Sequence, residues 1–164
     1  MAAGTTYTPI ATTTLGSAAS TVTMSSIPST YTDLVLVFSG KNGSGVNYEI
    51  TTQINGDTGS NYSYTNLRGN GSSAVSFRES SVTSFRLFYT ENTMGNAIVS
   101  FNNYANTSVY KTYLSRSNSP SYSTDAIVGL WRSTSAINSI AMTVVAGGQF
   151  QSGSTFTLYG IKAA

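Results

Sequence analysis

The stretch from Ala136 to Lys162, AINSIAMTVVAGGQFQSGSTFTLYGIK, decides the fold class. Ile137, Ile140, Met142 and Val144 recur close to every second position, and beyond a glycine-containing segment Phe156, Leu158 and Ile161 nearly repeat the pattern. Period two with β-branched and aromatic residues is the signature of a strand with one buried face. Two strands are therefore predicted, Ala136 to Val145 and Ser154 to Lys162. Between them Ala146 to Gly153 supplies three glycines, which reach positive φ without a Cβ clash, so the pair is expected to close as a hairpin. Terminal residues are ordered only when something ties them down, so the last strand is expected to lie inside a sheet.

The rest of the chain agrees with this reading. Its 164 residues are one domain by the usual prior and suffice to bury about two thirds of the unfolded surface. Charged residues are 9% and aromatics 12%, with eleven tyrosines and fifteen glycines, and Ser and Thr together approach a third of the chain. That mixture is far from the charged, aromatic-poor composition of disorder. Tyr and Thr favour a half-buried pleated surface, and Gly, Ser and Asn punctuate it, so an all-β sandwich or barrel is the leading class.

Several function classes are disfavoured by composition. A net charge of +2 from singly spread Lys and Arg lacks the clustered positive face that nucleic acid requires. Without cysteine or histidine there are no disulfides, no thiolate or imidazole metal ligands and no imidazole base. Neither cofactor nor metal is expected. The first residues lack the basic and apolar regions of a signal peptide, and no apolar run nears the roughly 20 residues of a membrane span, so synthesis in a cytoplasm is expected.

In chain order, Tyr7 to Leu15 reads as an edge strand or an arm reaching a neighbour, because Pro9 cannot donate to a ladder. Residues 1–14 are accordingly set apart from a single sandwich domain of residues 15–164. Thr21 to Met24 is a short strand. Asp33 to Phe38 is apolar on both faces, and a central strand covered on both sides is predicted. Tyr48, Ile50, Thr52 and Ile54 form the dry face of the next strand, and Asn55-Gly56 opens a tight reversal into Tyr62 to Leu67. Ala74 to Phe77 is a short strand, and Ser84 to Tyr89 is another, with Phe85, Leu87 and Tyr89 facing together. Ala97 to Tyr104 and Tyr110 to Arg116 follow, then a solvated connection from Ser117 to Thr124 and a strand from Asp125 to Trp131. About ten strands at this spacing predict a jelly-roll-like β-sandwich. Its expected core is Leu34, Leu36, Phe38, Phe85, Leu87, Ile127, Leu130, Ile140, Met142, Phe156 and Leu158.

Candidate chemistry is sparse. The acids Asp33, Glu49, Asp57, Glu79, Glu91 and Asp125 include enough carboxylates for a glycosidase pair, but scattered acids more often solvate a surface. Asp57, one carboxylate in a Gly-rich loop, suits an Asx turn better than calcium. Trp131 with Arg132 reads as a core or interface anchor ahead of a sugar-stacking platform.

Five phrases carry a resemblance: Tyr7 to Ser17, Ile54 to Tyr64, Asn103 to Thr107, Gly129 to Ser133 and Phe156 to Ile161. Together they resemble small virion-associated proteins of tailed bacteriophages of aquatic bacteria, cyanophages among them. The resemblance covers nearly the whole chain and implies a structural particle protein, located in the virion, without catalytic residues. The ending also resembles the last strand of trimeric jelly-roll modules of the complement C1q and tumour-necrosis-factor kind. Two functions are thus in view. One is a capsid decoration or cement subunit; the other is a tail-fibre or receptor-binding tip that recognises host surface glycans. Decoration is favoured, because no coiled coil or repeat is present to mount the chain on a tail. The expected partners are other phage structural proteins, the major capsid protein or a tail component, and further copies of the chain, as a homotrimer. Tyr7, Pro9 and Ile10 on the arm, with Trp131 and Arg132, are the interface candidates. Deleting residues 2–14 is expected to leave the sandwich folded while releasing it from its partner or splitting the oligomer.

Overall fold

Twelve antiparallel strands and no helix form residues 6–162, the part of the computed structural model described here. The strands are β1 (Tyr7–Thr14), β2 (Thr21–Met24), β3 (Asp33–Gly40), β4 (Tyr48–Ile54), β5 (Tyr62–Gly69), β6 (Ala74–Val82), β7 (Phe85–Thr90), β8 (Gly95–Asn102), β9 (Lys111–Ser119), β10 (Ser123–Trp131), β11 (Ile140–Val144) and β12 (Thr155–Ile161). They build two sheets, β1-β12-β3-β8-β9-β10-β5-β6 and β2-β11-β4-β7. Without the hairpins β5–β6 and β9–β10, the remaining eight strands, numbered along the chain, lie 1-8-3-6 against 2-7-4-5. That is jelly-roll order, and the two hairpins widen only the first sheet.

The two sheets meet through alternate side chains. Leu34, Leu36, Phe38, Phe156 and Leu158 of the large sheet face Ile50, Ile54, Phe85, Phe88, Ile140 and Met142 of the small one, and all are buried. Each such side chain stabilises the fold by roughly 1.5–3 kcal/mol through burial. Phe38 stacks on Phe88 with ring centroids 4.6 Å apart and meets Phe150 and Phe156 at 5.8 and 5.0 Å. Asn55 and Gly56 both take positive φ, 54° and 69°, and Asp57 N–H donates to Ile54 O at 2.9 Å. This is the tight Asn-Gly reversal, here used to carry the chain from the small sheet to the large one.

Several expectations change. β11 and β12 are not a hairpin: β11 pairs with β2 and β4 in one sheet, while β12 pairs with β1 and β3 in the other. Period-two patterning gives each strand a buried face, and the two faces are satisfied by opposing each other across the sandwich instead of lying side by side. Ala146 and Gly147 turn with φ of 55° and 77°. Gly148 is needed for space, since a Cβ there would come within 2.6 Å of Val144 and 2.7 Å of Tyr48. β12 does lie inside its sheet, and residues 136–139 are loop, with Ile137 buried.

β3 is central, yet only one of its faces is fully buried, because Val35 and Val37 on the other remain half exposed. Leu130 also points outward, since Ile127, Gly129 and Trp131 set the phase of β10. In β7 the ladder with β4 skips Leu87, so this bulge breaks the expected alternation. Phe85 and Phe88 turn inward, and Tyr89 joins Arg86 beside β5 and β6. β6 reaches Val82, and the expected connection from Ser117 to Thr124 is mostly strand, closed at Tyr122 N–H to Ser119 O, 2.9 Å.

Candidate functional site

The widened half of the large sheet holds the charged chemistry of the molecule. β7 would be a bare edge of the small sheet, but it contacts β9, β10 and β5 of the large one. The junction is sealed by two arginines among aromatic rings. Arg68 Nε donates to Asp125 Oδ1 at 3.0 Å and Arg68 Nη1 to Tyr122 OH at 2.8 Å, with the guanidinium 4.2 Å from the Tyr89 ring centre. Arg86 Nη2 pairs with Glu49, and its guanidinium lies 4.9 Å from Phe77, 5.0 Å from Tyr89 and 5.3 Å from Tyr64. Burial opposes the charge on both guanidiniums, but the carboxylate partners outweigh it and hold both above the usual arginine range. Burial likewise keeps the phenols of Tyr64 and Tyr89 neutral beyond their ordinary range. Desolvated cation–aromatic contacts reach about 2 kcal/mol. This cluster fastens the β5–β6 hairpin to β4 and β7.

Three of the four remaining carboxylates are also engaged within the fold; the fourth, Glu79 on β6, is exposed. Asp57 Oδ1 accepts the Gly59 N–H at 2.8 Å, the expected Asx turn, and Oδ2 accepts Trp131 Nε1 at 2.7 Å and Asn61 Nδ2 at 2.9 Å. Burial raises the Asp57 pKa, but the bonds from Trp131, Asn61 and Gly59 prevail and leave it below the ordinary value. Asp33 accepts Asn103 N–H at 2.7 Å, and Glu91 accepts from Ser121 N–H at 2.6 Å and from the Ser121 hydroxyl. Among the described residues no three acids converge as metal ligands.

The interface candidates are dispersed. Trp131 is 3% exposed, so its ring cannot meet a partner; it is a core anchor, parallel to Tyr62 at 6.4 Å and tied to Asp57. Arg132, partly exposed, donates its backbone N–H to Asn61 O at 2.8 Å. Tyr7 is exposed at one rim, edge-on to Tyr159 at 6.1 Å, and Pro9 is exposed beside it. Ile10 is the extra residue of a bulge in the β1–β12 ladder and packs on the core. Residues 7–14 are thus an edge strand of the chain's own sheet, and residues 1–5 of the expected arm lie outside the described ones.

The outer face of the large sheet is the surface the sequence reading missed. One row across it is Val37, Ile98, Arg116, Ala126, Leu67 and Ser76; the next is Val35, Ser100, Leu114, Val128, Thr65 and Arg78. Ile98, Leu114, Val128 and Leu67 are 38%, 42%, 55% and 57% exposed. At the usual strand spacing the rows span roughly 24 Å. They contain two arginines and no carboxylate. An open groove of about 650 Å³, bounded by Leu67, Gly69, Ala74, Ser76, Thr124 and Ala126 among others, adjoins the rows. A more polar groove of about 600 Å³ lies between the two hairpin tips, bounded by Asn70, Asn118, Ser121 and Tyr122 among others. The alternation in β9 and β10 could have indicated the face, had its apolar phase been assigned to the outside.

No protein-family description, curated protein or solved structure matches the chain.

Proposed function

We propose that the chain is a structural subunit of a tailed-bacteriophage particle, a decoration or cement protein that adheres through the outer face of its eight-stranded sheet. That face is the observation that carries the reading. Four large apolar side chains, Ile98, Leu114, Val128 and Leu67, stand exposed on four adjacent strands, with Arg116 among them and Arg78 at the margin. Scattered exposed apolar residues are ordinary, whereas a contiguous apolar area with arginine is the composition of an interface. Five of the six carboxylates, the exposed Glu79 aside, accept hydrogen bonds inside the fold, which favours a binding role over a catalytic one. The resemblance to virion proteins supplies the partner class: the major capsid protein or a tail component, alongside other copies of the chain.

The test is rebinding to particles stripped of the protein. Leu114→Glu with Val128→Glu changes two exposed positions and is expected to preserve the circular dichroism spectrum while lowering occupancy at least about tenfold, with little dependence on salt for the wild type. Full occupancy by the doubly substituted protein would refute the proposal. The polar groove at the hairpin tips favours a second reading, a fibre-tip domain for host glycans. Saturable binding to host polysaccharide, with no affinity for stripped particles, would establish that reading in its place.

A further inference from the structure

The free edge of β6 is unlike the other sheet edges. β1 carries Pro9 and a bulge, β2 has four residues, and β7 is covered by the large sheet. β6 has nine residues, exposed along nearly all their length, and among the described residues no strand pairs with its far side. Edge strands are normally guarded by charges, prolines or bulges, because their unpaired N–H and C=O groups template another strand. On β6 the guards sit at one end: Arg78, Glu79 and the ladder irregularity near Ser81, whose φ is 57°. The first half, Ala74 to Phe77, has none.

We propose that this edge pairs with the same edge of a second copy, antiparallel and centred on Ser76. Such a dyad lies perpendicular to the sheet, so it preserves sheet faces and must pass through a residue. Centred on Arg78 it would oppose arginine to arginine; centred on Glu79 it would oppose the acids; centred on Phe77 it would set Glu79 against Val75. Centred on Ser76 it opposes Val75 to Phe77 twice on the inner face, an aromatic and β-branched pair of the kind that stabilises ladders. On the outer face it opposes Ser76 to Ser76 and Ala74 to Arg78. Val75 is 47% exposed in the single chain and gains cover. Five residues from each copy meet, which is small for an interface, so the dimer is concentration-dependent in solution. Its consequence is geometric: two eight-stranded sheets become one, and their outer apolar rows join into a single face. The pairing stands on the edge itself and does not depend on the phage reading.

The chain has no cysteine, so Ser76→Cys introduces a single thiol at the dyad. Under mild oxidation Ser76→Cys is expected to form a disulfide-linked dimer at least about tenfold faster than Thr112→Cys, a control at an exposed position on β9. Sedimentation up to about millimolar protein is expected to show a monomer–dimer equilibrium, with Ser76→Glu weakening it about tenfold through opposed like charges. Equal cross-linking of the two cysteine variants would overturn the proposal. So would a monomer at every concentration, or a trimer unaffected by Ser76→Glu. A wild-type monomer that instead captures an extended peptide at β6 also overturns it, and assigns the edge to a foreign strand.

Discussion

Gly129 is the position where one methyl group is expected to do most harm. It lies opposite Tyr113 in the β9–β10 ladder, and a Cβ there would come within 1.8 Å of the Tyr113 ring. The ring cannot yield. It stacks on Phe85 at 4.1 Å, its hydroxyl donates to Arg86 O, and Phe101 lies 6.1 Å away. Gly129→Ala is therefore expected to cost about 3 kcal/mol, the upper part of the overpacking range, or a melting-temperature loss of about 6–12 °C at this size. Tyr113→Ala alone is expected to cost about 3–5 kcal/mol as a large-to-small core change. Adding Gly129→Ala to Tyr113→Ala fills part of the void and is expected to be neutral or to gain about 0.5–1 kcal/mol, since alanine loses less backbone entropy than glycine in a strand. The coupling between the sites is thus about 3–4 kcal/mol, at or just above the usual limit of about 3 for contacting pairs. Urea unfolding followed by the fluorescence of the single, buried Trp131 measures all three variants. If the two single effects add within about 0.5 kcal/mol, the ring is not what forbids a side chain at residue 129, and the packing argument fails.

Acid is expected to expose Trp131, because the Asp57 pKa is depressed in the fold. The stability from that carboxylate is complete above its ordinary value of 3.8 and is lost as pH falls through the lower folded value, so fluorescence should change below about pH 4; Asp57→Asn, which cannot titrate, loses the charge-assisted bond at every pH and should lack this step. At the other extreme Tyr62 is pushed up to about 12, foremost by burial. Its contribution of about 2–3 kcal/mol is present below pH 10 and lost between pH 10 and 12, so near-ultraviolet absorbance should report tyrosinate and unfolding together. Deleting residues 2–14 removes the only partner on one side of β12 and uncovers the core where Ile10 and Ala11 pack, so it is expected to lower the melting temperature by several degrees; an unchanged melting curve would return these residues to the role of a dispensable arm.

Strand positions were legible wherever one face is dry and the other wet: Tyr48 to Ile54 falls with Ile50, Thr52 and Ile54 buried, as its alternation requires. Pairing was not legible. The alternation of Ile140, Met142 and Val144 says that a face is buried but not which strand lies beside it, and a glycine-rich connection serves a crossover between sheets as well as a hairpin. Phase failed where apolar residues occupy both faces, as in β10, where only the tertiary neighbours choose Ile127 and Trp131 over Val128 and Leu130. The bulge at Leu87 defeated simple alternation in β7 for a related reason. The arginine–aromatic cluster was invisible because Arg68, Arg86, Glu49 and Asp125 lie on four strands that meet only through the sheet order.

The same cluster alters what the net charge means. Arg68 and Arg86 neutralise Asp125 and Glu49 inside the fold, and Lys111 is buried, donating to the carbonyls of Val109 and Thr134. Asp33, Asp57 and Glu91 accept backbone and side-chain donors of the chain itself. Arg78 and Arg116 have no such carboxylate among the described residues, and both stand on the outer face of the large sheet. A chain of net charge +2 therefore presents a face with two unneutralised cations set among apolar side chains. Desolvating two guanidiniums costs free energy unless a partner supplies acceptors. On the proposed role, a surface that fits this face would be apolar at its centre, with neutral carbonyl oxygens opposite Arg78 and Arg116, in keeping with weak salt dependence. Arginine suits that demand, because its five donors satisfy a planar acceptor array while its stem still packs. If the two arginines were merely solubilising, replacing both with lysine would leave particle binding unchanged; if they meet fixed acceptors, the same change weakens binding and removing both weakens it further.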